Sequence, residues 1–369
     1  MMTAPLVVEN EGAVVSPSLI LHWESVEENL KRMIAIAGDP SRLRPHVKTH
    51  KLPQIVARQV ELGITKCKCA TVAEAEMAAT AGAREVLLAS PLVGPNIGRF
   101  LALQEAFPQV RFSALGDDEG AVRALSEAAV AAGQQATVLL DLDVGQGRTG
   151  LPAGGVAASF YRRMAALPGI LAGGLHAYDG HLHQSDVEER GAACEEAFAP
   201  VEALRVRLAR EGLPVPVVVA GGTPTFPWHA RRAGVECSPG TCVLWDAGYA
   251  DHLPDMDFLP AAVLLTRVIS RPADDRLCLD LGHKAVASEM PHPRVVFPAL
   301  PEARVVMHNE EHLVLETPRA GGFPVGSVLY GIPWHICPTV ALHCHVQVAK
   351  RGEVLERWPV VARTRQITY

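Results

Sequence analysis

Residues 119–144 read EGAVRALSEAAVAAGQQATVLLDLDV. Over Glu119–Ala132 the apolar residues recur at spacings of three and four, the period of an amphipathic helix; across Thr137–Val144 they give way to a β-branched and leucine run of strand length. The same unit repeats along the chain from Pro17 to about Val243. Eight strands are predicted, at Leu43–Lys48, Lys66–Val72, Glu85–Pro91, Val110–Leu115, Thr137–Val144, Leu171–Tyr178, Pro216–Gly221 and Glu236–Val243. Helices are predicted between them, as at Leu52–Leu62, Ala73–Ala81, Glu119–Ala132 and Val187–Arg210. An earlier helix is marked by Ser25 with Glu28 three residues on, a capping-box pattern. Parallel strands with covering helices over ~230 residues predict a (β/α)8 barrel. An open doubly wound sheet is the runner-up, disfavoured because no G-x-G-x-x-G follows the first strand.

Beyond about Asp257 the texture changes. Runs at Ala262–Ser270, Leu277–Leu281, Arg304–Met307, His312–Glu316, Val325–Ile332 and Val340–Val348 follow one another with little helix between, so this half is predicted to be all-β. The first 15 residues carry a short apolar run expected to pair with the same sheet. The expected division is a barrel over residues 16–256 and a β-domain made of 1–15 plus 257–369.

A length of 369 residues suits a barrel of about 250 residues with an appendage. With 49% apolar and 20% charged residues the chain is ordinary globular protein, which excludes collagen-like, disordered and supercharged classes. Its 34 Lys plus Arg against 40 Asp plus Glu leave a charge of −6, so no electrostatic footprint for nucleic acid is expected. No apolar run approaches the ~18 residues of a membrane span. The N-terminus lacks the basic-then-apolar order of a secretion signal. The 8 cysteines are scattered through a long chain and read mostly as free thiols, as expected of a cytoplasmic protein.

Candidate chemistry gathers at strand ends. The first strand runs into Arg44-Pro45-His46-Val47-Lys48-Thr49-His50-Lys51, and strand alternation puts His46, Lys48 and His50 on one face. In a barrel that face can meet the C-terminal mouth. A lysine crowded there by cationic or imidazole groups is tuned toward the free amine that forms a Schiff base. A basic strand end meeting solvent or phosphate is the plainer alternative. Ala220-Gly221-Gly222-Thr223 closes the seventh strand and Ser238-Pro239-Gly240-Thr241 lies within the eighth, the loops where barrels bind phosphate. Glycines there let backbone N–H groups approach an anion, and Thr223 or Thr241 adds a hydroxyl; each is otherwise only a turn.

The fifth strand ends in Asp143-Val144-Gly145-Gln146-Gly147-Arg148, a turn able to swing Arg148 over the mouth or to leave it in solvent. The sixth ends in His176-Ala177-Tyr178-Asp179-Gly180-His181-Leu182-His183, where His176 reads as structural and His181 and His183 lie beyond the strand, within reach of a ligand. In the β-half, His335 and Cys337 would project to one side of extended backbone and share a metal ion. Two ligands alone do not make a tight site, and His343-Cys344-His345 stands nearby.

With these residues in view, the chain resembles the D-threonine aldolase and D-serine dehydratase group of pyridoxal-phosphate enzymes, whose barrel is that of alanine racemase. The resemblance covers nearly the whole chain. It runs through Pro17-Ser18-Leu19, the stretch from Arg44 to Lys51, Asp143 to Arg148, Ala177-Tyr178, Gly221-Gly222-Thr223, Gly240-Thr241, Asp280-Leu281-Gly282-His283-Lys284, Glu311-His312 and Pro333 to His343. It implies that Lys48 holds pyridoxal 5'-phosphate as a Schiff base while Gly221, Gly222, Thr223, Gly240 and Thr241 cradle the phosphate. Arg148 and Tyr178 would contact the pyridine ring and its phenolic oxygen. His335 and Cys337 would hold a divalent metal ion (Zn, Mn or Mg) near the β-hydroxyl of a D-amino acid substrate. A homodimer is implied as well.

Two outcomes diverge from that site. In an aldolase the β-hydroxyl loses its proton and the Cα–Cβ bond breaks, with His181 or His183 as candidate base; in a dehydratase Lys48 takes the α-proton and hydroxide leaves. Aldolases of the group resemble one another in a His-x-Asp metal pair, whereas this chain has the His-x-Cys of the zinc-bearing dehydratases, and thiolate favours a softer ion. The Asp-Val-Gly-Gln-Gly-Arg and Cys-Pro-Thr-Val-Ala-Leu-His runs look closer to the aldolase branch. Retro-aldol cleavage is therefore the expectation and dehydration of D-serine or D-3-hydroxyaspartate the alternative. A racemase would need a second base, for which Tyr249 and Tyr330 lack matching context, and carrier proteins of this fold lack the β-domain.

Overall fold

Seven of the eight expected barrel strands are present as a parallel sheet in a computed structural model, which describes residues 6–368. The chain forms two compact units: a barrel unit of residues 34–48, 52–240 and 364–368, and a sheet unit of residues 6–33, 49–51 and 241–363. Residues 1–5 and 369, counted in the expected β-domain, lie outside the described residues.

In the barrel unit the strands Lys66–Cys69, Glu85–Pro91, Arg111–Gly116, Ala136–Asp143, Ile170–Ala177, Val217–Ala220 and Val235–Cys237 stand side by side in chain order. Helices Pro53–Glu61, Val72–Thr80, Pro95–Ala106, Glu119–Ala131, Gly155–Ala165 and Val187–Arg210 alternate with them. Thr71, Asp118 and Asp186 start three of these helices by accepting a backbone N–H three residues on, which satisfies a donor the helix itself cannot.

The eighth place belongs to residues 43–46, which pair with both edges of the sheet. Arg44 N–H donates to Cys237 O at 2.8 Å, His46 N–H to Pro239 O at 3.0 Å, and Lys68 N–H to Pro45 O at 2.9 Å. The ring closes, and the fold is the expected barrel.

Inside the ring, Arg44 is only 4% exposed and donates to Glu236 at 2.6 Å and to Glu85 at 2.8 Å. Lys66 and Arg111 add a second cation to each carboxylate. Leu87, Leu115, Leu139 and Val219 form a buried apolar cluster in the same unit, one residue from each of four strands.

Several expected details differ. The first strand ends at His46, and Val47–Thr49 is a 3-10 turn, because Val47 and Thr49 are both drawn into buried positions that strand alternation would not give them together with His50. The eighth strand ends at Cys237, since Pro239 offers no ladder donor, and Thr241–Val243 is another 3-10 turn. Helix Trp23–Ala37 begins ahead of Ser25, which lies buried in its first turn instead of capping it.

The sheet unit is ordered Arg304–His308, Leu313–Glu316, Arg276–Leu279, Ala262–Ala273, Ser18–His22, His345–Lys350, Glu353–Pro359, with Val328–Pro333 also pairing Ala262–Ala273 and Val295–Val296 pairing Val328–Pro333. The N-terminal pairing expected of the first 15 residues falls instead on Ser18–His22, antiparallel to Ala262–Ala273 and parallel to His345–Lys350. Residues 6–15 form no strand, but Val8 packs with Ile20, Val263 and Leu265, and Glu9 N–H donates to Gly352 O at 2.8 Å. The expected run Val340–Val348 is split between helix Ile336–Leu342 and strand His345–Lys350. No helix among the described residues is long and apolar enough to cross a membrane.

The ion cluster inside the barrel makes a testable distinction. Arg44→Ala takes from two half-buried carboxylates the cation they share, each keeping one other, and should cost about 2–3 kcal/mol. Arg111→Ala, at the 80% exposed end of the same cluster, should cost under about 1 kcal/mol. Urea midpoints of the two variants, compared at equal slope, check the ranking.

Candidate functional site

A pocket in the barrel unit is walled by His46, Lys48, Lys68, Asp141, Arg148, His176 and Tyr178, among others, most of them at or just past strand ends. Barrel enzymes place their chemistry at that end. Lys48 reaches the pocket, half-exposed, from the Val47–Thr49 turn. The common face expected for His46, Lys48 and His50 does not form: the turn breaks the alternation, and His50 is buried among residues of the sheet unit.

Asp141 and His176 are register partners on neighbouring strands, which sets the imidazole Nδ1 2.7 Å from Asp141 Oδ1. Burial drops His176 below the usual imidazole range even against the pull of Asp141, so the ring is neutral at pH 7. With a carboxylate at Nδ1 we assign the proton there, and Nε2, which has no hydrogen-bond partner among the described residues, is then an open acceptor. Arg148 and Lys68 both lie against the ring of Tyr178, at 5.2 and 5.1 Å from its centroid.

The Gly-Gly-Thr loop is shaped from behind by Asp179. This buried carboxylate accepts from Gly222 N–H at 3.1 Å, from the Thr225 hydroxyl at 2.8 Å and from His229 Nε2 at 2.8 Å. Gly221 holds φ at +78°, and a Cβ there would stand 2.5 Å from His229; one on Gly222 would stand 3.0 Å from the Tyr178 ring. Gly221 N–H donates to Ala177 O at 3.0 Å and Gly240 N–H to Thr223 Oγ1 at 3.2 Å. The N–H groups of Gly221, Gly222 and Gly240 are thus engaged within the protein, and what these glycines offer a ligand is room.

Asp179, Cys194 and His229 bring three donor atoms within 4.8 Å of one another, all buried, which is the composition of a metal site. Here the atoms are joined by hydrogen bonds. Burial pushes the Cys194 thiol up to about 12, and the Arg232 guanidinium stands 3.9 Å from its sulfur, so a cation would meet both a protonated ligand and a positive charge. We read this cluster as the anchor of the loop.

His181 packs on Gly145, where a Cβ would stand 2.9 Å from its Nε2, and lines a separate hollow with Asp143, Val144 and Pro152. His183 is exposed. Neither lines the Lys48 pocket.

In the sheet unit, His335 and Cys337 do not sit in extended backbone. His335 is the N-cap residue of helix Ile336–Leu342 and Cys337 lies in its first turn, yet imidazole and thiol are hydrogen-bonded to each other. Burial alone would lower His335; Cys337, with Glu289 at 2.5 Å from Nδ1, lifts it to about 9. The Cys337 sulfur lies 3.6 Å from Thr241 Oγ1 and 3.3 Å from Thr49 Oγ1. The helix start is held by Asp246, which accepts Ile336 N–H at 3.0 Å and whose carboxyl burial pushes up to about 6. A thiol and an imidazole oriented by a carboxylate are the donor chemistry of a borderline-soft divalent ion.

Lys68, the Asp141–His176 pair and Glu289 were missing from the sequence-based site. Lys68 had a visible signal: in Lys66-Cys67-Lys68-Cys69 charge alternates with cysteine at the strand period, which turns both lysines to one side.

Residues 21–246 match the family described as "Alanine racemase, N-terminal domain", and residues 261–349 match the one described as "Putative serine dehydratase domain". The chain is 33% identical over 358 residues to a D-threonine aldolase of Arthrobacter sp., covering 95% of this chain and 93% of the relative. It is 25% identical over 374 residues to a D-threo-3-hydroxyaspartate dehydratase of Delftia sp., covering 93% of this chain and 96% of the relative. The crystal structure of D-threonine aldolase from Filomicrobium marinum matches with a TM-score of 0.90 at 30% identity, covering 98% of this chain and 99% of that one. The chain therefore belongs to the family that joins an alanine racemase-type barrel to a serine dehydratase-type second domain, and that includes D-threonine aldolase and D-threo-3-hydroxyaspartate dehydratase.

Proposed function

We propose that the protein is a lyase using pyridoxal 5'-phosphate and a divalent metal ion to cleave D-β-hydroxy-α-amino acids, in the manner of a D-threonine aldolase, to glycine and an aldehyde. The observation that carries this reading is the barrel pocket where Lys48 meets Lys68, Arg148, Tyr178 and the Asp141–His176 pair. Three cations converge there, one of them buried without an ion pair among the described residues, which fits an anionic cofactor.

Pyridoxal phosphate, when bound, supplies an aldehyde for a lysine amine and a sink for the electron pair left at Cα. Lys48 is the amine, half-exposed and therefore reachable. Arg148 and the Tyr178 ring form the wall against which an aromatic ring and its oxygen would rest. Thr223 and Thr241 bring hydroxyls, and Gly221, Gly222 and Gly240 bring space, for the phosphate. His176, neutral and fixed by Asp141, is placed in the pocket to accept a proton, a role the sequence offered to His181 or His183. His335 and Cys337 would hold the metal ion, whose Lewis acidity lowers the pKa of a bound hydroxyl. The working form is a homodimer.

The thiol at position 337 favours a second reading, dehydration to a 2-oxo acid and ammonia. Thiolate suits the softer ion of that chemistry, and the Delftia relative is named as a dehydratase. Lys48 would then take the α-proton as hydroxide leaves.

Incubation with D-threonine and with D-serine, with cofactor and with Mn2+ or Zn2+, decides between them: glycine plus aldehyde supports cleavage, 2-oxo acid plus ammonia supports dehydration, and neither product rejects both. Lys48→Ala should abolish the ~420 nm band of a lysine-bound cofactor; a retained band would move the attachment to another lysine. Cys337→Ala, or chelation, should lower turnover at least about tenfold with that band unchanged. Full activity in chelator would remove the metal from the proposal.

A further inference from the structure

Lys68 is the third residue of strand Lys66–Cys69 and its side chain lines the pocket that holds Lys48. The residue is 2% exposed. Among the described residues no hydrogen bond or ion pair reaches its Nζ, whose close neighbour is the face of Tyr178 at 5.1 Å from the ring centroid. The two carboxylates that attract it are committed elsewhere: Asp141 to His176 at 2.7 Å, and Asp179 to His229 and Thr225 at 2.8 Å each. The other charged or titratable groups of the pocket wall are His46, Lys48, Arg148, His176 and Asp143, and of these Lys48 and Arg148 repel it.

Burial first, then Lys48, pushes Lys68 down to about 7. An ammonium this buried, with no partner among the described residues, works against folding, and an unbranched apolar chain of the same length would fill the space without that cost. Packing therefore gives no reason for a lysine at this position. An anion bound beside it does.

We infer that Lys68 is the counter-ion for an anionic oxygen of the bound pyridoxal phosphate and amino acid, either the ring phenolate or the amino-acid carboxylate, in the pocket it shares with Lys48 and Arg148. The inference rests on that pocket being the cofactor site. Contact with a charged acceptor forms the stronger class of hydrogen bond, so losing it should weaken binding about ten- to a hundredfold.

The test compares the full-length chain with Lys68→Met, each stripped of cofactor with hydroxylamine and dialysed. Lys68→Met should melt higher than the native chain. The unfolded lysine keeps its proton up to its ordinary 10.5 while the folded one releases it above about 7, so the native chain gains stability as pH rises through that window. The advantage of the variant should accordingly be larger at pH ~7 than at pH ~10. Affinity for pyridoxal phosphate is then read by tryptophan fluorescence, and affinity of the loaded protein for D-threonine by its absorbance shift. A weakened cofactor affinity assigns the phenolate, and a weakened D-threonine affinity with cofactor binding intact assigns the carboxylate. Unchanged affinities for both overturn the inference, as does a Lys68→Met chain that melts lower or fails to fold when Lys68→Gln does the same. A native chain that binds no pyridoxal phosphate overturns the functional reading instead, and the melting comparison still reports whether Lys68 costs stability.

Discussion

A parallel sheet rolled into a barrel cannot leave its two edges open, because each would carry a row of unpaired N–H and C=O groups. In this chain four residues, 43–46, meet both edges, joining Cys237 and Pro239 on one side and Lys68 on the other. Two lysines of the pocket are placed from that closure. Lys48 stands two residues past it, and Lys68 is fastened to it through its own backbone. Pro45 suits the position, since its carbonyl accepts from Lys68 while the N–H it lacks is not needed.

The barrel unit carries two groups of interior charge with different accounts. Arg44, Lys66, Glu85 and Glu236 satisfy one another, so their burial is compensated and their task is to hold the ring. Lys48, Lys68 and Arg148 have no comparable set of carboxylates, because Asp141 and Asp179 are drawn off by His176 and by the Gly-Gly-Thr loop. The first group is finished within the fold. The second gathers three basic side chains around one pocket without matching carboxylates among the described residues, and this imbalance marks the pocket more plainly than any single residue type does.

How far the sequence reached follows from what each signal encodes. The switch between periods of two and of three to four is a direct image of strand and helix, so the barrel was legible; Lys48, Arg148 and Tyr178, singled out for their places near strand ends, line one pocket. The turn at Val47–Thr49 was not, because His-Val-Lys-Thr-His alternates in the same way whether or not the strand continues. Spacing also says nothing about where a side chain points once the strand is over, which is why His181 and His183 were drawn toward the pocket while His176, inside the strand, was set aside. The helix that begins at Ile336 had a cue in Pro338, a residue tolerated in a first helical turn, and it was read as extended chain instead. The contacts of Asp179 with Thr225 and His229 depend on a fold in which residues about 50 apart meet, and no local pattern carries that.

The backbone crosses between the two units repeatedly: residues 33, 48, 51, 240 and 363 each end a stretch belonging to one of them. The barrel takes its last piece from residues 364–368, where Thr368 N–H donates to Glu76 at 3.0 Å. Neither unit is one continuous stretch of sequence, so no single cut in the gene would release either as a free-standing module.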